Sequence, residues 1–204
     1  MDTCRQSSLY TVGVDEAGRG PLAGPVTAAA VVLSENQNVA GIADSKTISE
    51  KKREKLFERI VEQSAAFSIV CVGPRRIEHH NIREATKLAM KLAAERVYRK
   101  LQTGNSKLRP QDCFLRIDGN TPIETFIPQE TIVKGDSSVV DIAAASILAK
   151  VFRDRIMKSI SEYYPGYDFE KHKGYPTQAH RESIAQLGPS QVHRRTFAGV
   201  REHV

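Results

Sequence analysis

Five short segments carry the apolar patterns that are typical of β-strands. Residues 10–14 alternate between polar and apolar side chains, and residues 26–33 form a nearly continuous apolar run. Such a run is typical of a strand that is buried on both faces. The other predicted strands are residues 67–72, 114–117 and 131–133, each ending near Gly, Pro, Asp or Asn. The pattern therefore predicts five strands.

Between these strands, apolar residues recur at the spacing that is typical of helices. Residues 47–50 have capping-box spacing, which predicts a helix running toward residue 65. Asn81 predicts the start of a long helix that ends at Gly104, and a third helix is predicted for residues 138–164. A short helix should lie between Thr177 and Gly188. The alternation of strands and helices predicts the α/β class, with residues 1–204 as one domain and a helical annex over about 165–204.

Charge and composition narrow the functional classes. Apolar residues make up 40% of the chain and charged residues 26%, which excludes a disordered chain. The net charge is +6, and residues 171–204 contain six Lys or Arg against two Glu. This basic annex indicates either a polyanionic partner or a solvated basic surface, and charge alone favours neither. The polar N-terminal residues and the lack of a long apolar run predict a cytoplasmic protein without membrane contact.

Four acidic residues lie at the predicted ends of strands. Asp15 and Glu16 follow the first strand, and the others are Asp118 and Asp136. If these strands are neighbours, their acids meet at one edge of the sheet, where their mutual repulsion calls for a cation. Oxygen ligands suit hard ions such as Mg²⁺ and Mn²⁺. The alternative is that each Asp merely forms a turn, as the Asp118-Gly119-Asn120 sequence does well by itself.

Longer motifs carry a family resemblance. Residues 15–26 read Asp-Glu-Ala-Gly-Arg-Gly-Pro-Leu-Ala-Gly-Pro-Val, and further blocks follow in order at 44–46, 117–119, 134–136, 143–150 with 153–154, 173–175 and 193–197. In this order the motifs resemble those of the ribonuclease HII family. The resemblance implies an α/β fold with a ribonuclease H-like mixed five-stranded sheet flanked by helices and a C-terminal helical segment.

The resemblance also implies roles for particular residues. The family's catalytic metal ligands fall on Asp15, Glu16, Asp118 and Asp136; Asp136 is preferred to Asp141, which we expect to face solvent on its helix. The implied substrate-binding residues are Gly18, Arg19, Gly20, Lys46 and Tyr175. Lys173, Arg194 and Arg195 are further candidate phosphate contacts. His172 and His180 are candidates for proton transfer, for phosphate contact or for a plain surface position.

The implied activity is endonucleolytic hydrolysis of the RNA strand of RNA–DNA hybrids, including single ribonucleotides embedded in duplex DNA. The expected cofactor is Mn²⁺ or Mg²⁺, with two ions acting on either side of the scissile phosphate and leaving 5′-phosphate and 3′-hydroxyl ends. The expected partner is an RNA–DNA hybrid or ribonucleotide-containing DNA, and the chain is expected to be a monomer. Two alternatives stay open: another ribonuclease H-like nuclease, such as a resolvase or exonuclease, and a non-catalytic basic nucleic-acid-binding module.

Overall fold

A mixed five-stranded sheet forms the centre of the computed structural model, which describes residues 10–34, 42 and 49–204. The strands are β1 (Tyr10–Ala17), β2 (Val26–Leu33), β3 (Ser64–Val72), β4 (Cys113–Asp118) and β5 (Gln129–Ile132). Their order across the sheet is β3-β2-β1-β4-β5. β1, β2 and β3 pair antiparallel, whereas β4 runs parallel to β1 and to β5. All five predicted strands and the mixed sheet are thus confirmed.

Helices cover both faces of the sheet. They are α1 (Glu50–Gln63), α2 (Pro74–Gly104), α3 (Gly135–Ser138), α4 (Val140–Tyr163), α5 (Phe169–His172) and α6 (Gln178–Leu187). Alternate residues of β2 serve the two faces: Ala28 and Ala30 pack in the core under α2, and Ala29 and Val31 pack in the core under α1 and α4. This double burial explains the continuous apolar run of β2.

The four predicted helices correspond to α1, α2, α4 and α6, and two of them differ in detail. The capping box at 47–50 lies partly outside the described residues, and Ser49 caps α1 by accepting a hydrogen bond from the Lys52 amide. In α2, a first helical stretch precedes the predicted start. Asn81, with φ of 65°, interrupts the helix, and its side chain accepts a hydrogen bond from the Glu84 amide. Asn81 therefore caps the second, longer part of α2.

The start of α4 lies directly against β1. A Cβ atom at Gly13 would stand 2.1 Å from the backbone carbonyl carbon of Asp141. Only glycine fits at this position, because the side chain of any other residue would force α4 away from the sheet. The close approach brings the first turns of α4 next to the end of β1.

The C-terminal residues return to the segment that follows β1. The Leu22 amide donates to the Gly174 carbonyl at 2.8 Å, and the Gly24 amide donates to the Val192 carbonyl at 2.8 Å. The Arg194 amide in turn donates to the Leu22 carbonyl, also at 2.8 Å. Residues 22–24 are therefore held on both sides by residues from the last part of the chain.

Within the described ranges, no helix combines the length and the apolar character that crossing a membrane requires.

Candidate active site

Three of the predicted acidic residues lie at one edge of the sheet. Asp15 and Glu16 are among the last three residues of β1 rather than following it, and Asp118 is the last residue of β4. β1 and β4 are parallel neighbours in which Val14 pairs with Ile117, so their carboxyl ends meet. Asp136 lies in α3 just after β5, and its backbone amide donates to the Oδ1 atom of Asp118 at 3.3 Å.

Burial and mutual repulsion act on these carboxyl groups. Asp15 is only 4% exposed, and its burial, followed by the charges of Glu16 and Asp118, raises its pKa well above the usual range. Hydrogen bonds from the Ser146 hydroxyl and the Glu16 amide oppose this rise. Burial also raises the pKa of Glu16, although its ion pair with Arg19, at 3.3 Å, works against that effect. The negative charges are therefore costly in the protein alone.

The donor set fits a hard divalent cation. Among the described residues, no group of three or more His, Cys, Asp or Glu side chains is already arranged closely enough to hold a metal ion. Asp15, Glu16 and Asp118 nevertheless repel one another electrostatically, and all supply oxygen atoms. A cation of high charge density relieves such repulsion, and Mg²⁺ and Mn²⁺ favour these ligands.

Asp141 does not face solvent, which corrects the prediction for that residue. Its Oδ2 atom lies 3.3 Å from the Nη1 atom of Arg116, whose Nε atom lies 3.4 Å from Glu130. Burial raises the pKa of Asp141, and the Arg116 charge opposes the rise. Asp141 thus belongs to an ion-pair network that joins β4, β5 and α4.

An open pocket of about 460 Å³ lies beside the acids. Its lining includes four residues that were predicted to bind substrate: Gly18, Arg19, Gly20 and Tyr175. Glu16 lines the same pocket. The pocket also contains residues to which no role was assigned from the sequence: Arg53, Ser146, Ile147 and Lys150. Lys46, the remaining predicted substrate residue, lies outside the described residues.

A smaller concavity of about 100 Å³ adjoins this pocket and shares Glu16 and Arg19 with it. Asp118 lines this second concavity together with the basic side chains of Arg83 and Lys87 from α2. Both cavities next to the acidic edge of the sheet therefore contain basic residues, as a site for a polyanion requires.

Tyr175 presents its ring to the larger pocket. The residue is 39% exposed, and the Lys150 Nζ atom and the Arg153 Cζ atom lie 5.6 and 5.7 Å from the ring centroid. Its backbone carbonyl accepts hydrogen bonds from the Thr177 amide at 2.8 Å and from His180 Nδ1 at 2.9 Å. The backbone is anchored while the ring stays accessible.

Arg194 is not a phosphate contact, and that prediction was wrong. Its side chain is fully buried and donates to the carbonyl oxygens of Gly24 at 3.0 Å, Arg19 at 2.9 Å and Gly18 at 2.6 Å. Burial lowers the pKa of Arg194 to about 9. Arg153 is equally buried and donates to three more carbonyls, those of Pro25, Lys173 and Ala23, at 3.0 to 3.1 Å.

The histidines of the annex form a buried network, so the surface and proton-transfer roles considered for His180 are also corrected. His180 Nδ1 donates to the Tyr175 carbonyl, which leaves its Nε2 atom to accept from His193 Nε2 at 3.0 Å. His193 Nδ1 then accepts from the Ser190 amide at 2.9 Å. Both imidazoles are therefore neutral, and burial lowers the pKa of each to about 4.

His172 packs against the same histidine network. Its ring stacks on His180 with the centroids 4.3 Å apart, and its Nε2 atom lies 2.7 Å from the Tyr167 carbonyl. Its Nδ1 atom accepts from the Gly174 amide at 3.1 Å. Lys173 and Arg195, by contrast, retain solvent access, and their assignment as phosphate contacts stays a prediction.

Comparison with known proteins agrees with this geometry. The family model described as Ribonuclease HII matches residues 12–200. The chain belongs to the ribonuclease HII family. Ribonuclease HII of Syntrophotalea carbinolica is 46% identical over 200 residues, which cover 98% of this chain and 90% of that protein. Ribonuclease HII of Neisseria meningitidis serogroup C is 47% identical over 194 residues, which cover 95% and 94%.

Solved structures show the same fold. Ribonuclease H2 of Pyrococcus horikoshii matches with a TM-score of 0.72 and 26% identity, over 95% of this chain and 96% of that one. Ribonuclease HII of Archaeoglobus fulgidus, solved as a complex with PCNA, matches with a TM-score of 0.74 and 26% identity, over 93% and 96%. The ribonuclease H-like fold is thereby confirmed. The chain is a ribonuclease H, a hydrolase that cuts the RNA of RNA–DNA hybrids.

Proposed function

We propose that the chain cuts on the RNA side of RNA–DNA junctions, including single ribonucleotides embedded in duplex DNA. The products carry 5′-phosphate and 3′-hydroxyl ends, and Asp15, Glu16, Asp118 and Asp136 hold divalent Mg²⁺ or Mn²⁺. One observation carries the proposal: Glu16 lies both in the acidic cluster and in the wall of the pocket that contains Gly18, Gly20 and Tyr175. A nucleotide in that pocket has its phosphate beside the acids.

Asp15, Glu16 and Asp118 supply the ligand oxygens for the cation, with Asp136 beside them at the start of α3. A bound divalent cation contributes positive charge that offsets the negative charge developing on the phosphate during hydrolysis. The Ser146 hydroxyl keeps Asp15 in its position through its hydrogen bond. Arg19 does the same for Glu16.

Gly20 supports direct contact between the backbone and the substrate. A Cβ atom built there would meet no protein atom within 4 Å, so the fold itself does not require glycine at this position. Gly18 differs, because its φ of +92° and the Arg153 side chain exclude a side chain there. The space above Gly20 suits a ribose whose 2′-hydroxyl approaches the main chain. This hydroxyl distinguishes RNA from DNA.

Tyr175 and Lys150 complete the recognition of the junction. The exposed ring of Tyr175 packs against the deoxyribose next to the ribonucleotide, and Lys150, on the same pocket wall, contacts a phosphate. Contacts on both sides of one phosphodiester hold it at the acidic cluster, and such positioning contributes to the rate.

Cleavage of three matched duplexes tests the proposal. They are a DNA duplex with one ribonucleotide, the same sequence as an RNA–DNA hybrid, and the all-DNA duplex, each with Mg²⁺, Mn²⁺ or a chelator. We expect metal-dependent cleavage of the first two only. Product ends are assigned by ligation of the 5′-phosphate and polymerase extension of the 3′-hydroxyl.

Other outcomes favour the two alternatives. Comparable cleavage of the all-DNA duplex would indicate a resolvase or exonuclease. Tight binding of all three duplexes, with no cleavage under any metal condition, would indicate a binding module whose acids only form turns.

A further inference from the structure

We propose that Arg194 is a positioning residue for ribonucleotide recognition, because it turns the N–H groups of Arg19 and Gly20 toward the substrate pocket. The inference rests on the proposed function, in which residues 18–20 touch the ribose. Arg194 itself does not touch substrate, since its side chain is fully buried on the far side of this segment.

The orientation follows from the geometry of the peptide bond. In a planar trans peptide, the C=O of one residue and the N–H of the next point in opposite directions. Arg194 binds the carbonyls of Gly18 and Arg19 from the protein interior, at 2.6 and 2.9 Å. The N–H groups of Arg19 and Gly20 must therefore point away from Arg194, toward the pocket that these two residues line.

Both N–H groups are available to a ligand. Arg19 and Gly20 lie in no helix or strand. Among the described residues, neither of their amides donates a hydrogen bond to a backbone carbonyl. Adjacent N–H groups that point the same way form a concave donor site for an oxygen atom. A ribose hydroxyl or a phosphate oxygen in the pocket satisfies them, and only the hydroxyl separates RNA from DNA.

Arg194 is itself held firmly enough to fix the segment. Its Nε atom donates to the Gly24 carbonyl at 3.0 Å, and its Cζ atom lies 5.1 Å from the centroid of the Phe197 ring. Three bonds from one planar group fix the directions of three carbonyls at once. A lysine carries one nitrogen and cannot reproduce this fork, although it keeps the charge.

Arg194→Lys is therefore the informative variant, and Arg201→Lys is its matched control because Arg201 is exposed and pairs only locally with Glu202. We measure two dissociation constants, one for a DNA duplex with a single ribonucleotide and one for the all-DNA duplex of the same sequence. A chelator is present in both measurements so that no strand is cut. We expect the ratio of the all-DNA constant to the single-ribonucleotide constant to fall by about tenfold in Arg194→Lys, the scale of one or two lost hydrogen bonds. Arg201→Lys should keep the wild-type ratio.

A purely structural role gives a different result. If Arg194 only stabilised the fold, Arg194→Lys would lower the melting temperature and weaken both duplexes equally, and an unchanged ratio would overturn the proposal. If Arg194→Lys does not fold, Phe197→Leu removes the ring beside the guanidinium and should lower the ratio to a smaller extent; an unchanged ratio there also overturns the proposal. Absence of ribonucleotide preference in the wild-type chain would instead contradict the proposed function.

Discussion

The backbone amide of Asp136 donates a hydrogen bond to the Oδ1 atom of Asp118, 3.3 Å away. This bond joins the turn after β5 to the end of β4. Gly135 packs closely against α4 at this turn, since a Cβ atom there would stand 2.4 Å from the tip of the Ile142 side chain. The positions of two proposed metal ligands therefore depend on one another, and on α4 behind them.

Asp118→Asn should abolish cleavage while the fold is retained. Asn keeps an oxygen for the Asp136 amide but loses the charge, so we expect cleavage to fall by about three orders of magnitude, since a bound metal contributes several kcal/mol to catalysis. Removal of one repelling charge near Asp15 should leave the metal-free melting temperature unchanged or slightly higher. Near-normal turnover at saturating Mg²⁺ would contradict the assignment of Asp118 as a ligand.

The variants Asp136→Asn and Asp141→Asn should distinguish a metal ligand from a member of the ion-pair network. The first should reduce cleavage strongly with little change in stability. The second should leave cleavage near wild type and cost about 1 kcal/mol of stability, since it breaks the pair with Arg116. Cleavage assays and thermal melting of both variants test this, and the opposite result would make Asp141 the fourth acid.

Acid should destabilise the fold through the buried histidines. The folded-state pKa values of His180 and His193, about 4, lie below the usual 6.5, so the unfolded chain binds more protons between these values. Their contribution to stability is complete above pH 6.5 and is lost as the pH falls toward 4. The loss is on the order of 3 kcal/mol for each histidine.

Melting curves between pH 7 and pH 4 measure this effect. The variant His193→Gln should have a smaller dependence of melting temperature on pH, whereas the exposed His203→Gln should behave like wild type. If the melting temperature depends on pH equally in all three proteins, groups other than His193 cause the acid sensitivity.

Tyr175→Ala should impair cleavage at a single ribonucleotide without unfolding the protein. Its exposed ring contributes little to the core, and its backbone is held by Thr177 and His180. Loss of the ring contact should cost about 1–3 kcal/mol, or roughly ten- to hundredfold in kcat/KM. Tyr175→Phe keeps the ring and serves as the control; wild-type cleavage by the Ala variant would remove Tyr175 from the site.

Binding of the duplex should weaken with added salt, because basic side chains displace counterions from phosphates. Lys150→Gln should reduce the slope of log K against log salt by about 0.9, the value for one phosphate contact. Arg201→Gln, away from the pocket, should leave the slope unchanged. Deletion of the residues after Gln191 cannot test the charge of the annex, because it also removes the buried Arg194.

Local patterns predicted the elements, and the positions of the acids near the ends of strands, for physical reasons; the role of these acids as metal ligands stays a prediction. The double-sided burial of β2 requires a continuous apolar run, and the acids lie where parallel strands end. Asp141 was misassigned because the spacing of apolar residues in a helix does not reveal a cation on a neighbouring strand. Arg116 supplies that cation from β4.

The buried polar residues could not be predicted in the same way. Arginine usually lies at the surface and histidine is intermediate, and no local pattern marks Arg153, Arg194 or His180 as buried. Their partners are carbonyls of irregular segments that form no strand or helix of their own. Such carbonyls need donors once buried, but the donors come from distant parts of the chain.

The bonds from Arg194 to Arg19 and Gly18 span 175 and 176 residues. During translation all four acids leave the ribosome before Arg194 does. A nascent chain can thus carry the whole acidic cluster while the adjoining segment still lacks the side chain that orders it. We expect selective activity to arise only after Arg194 has left the ribosome and has bound the carbonyls of residues 18 and 19.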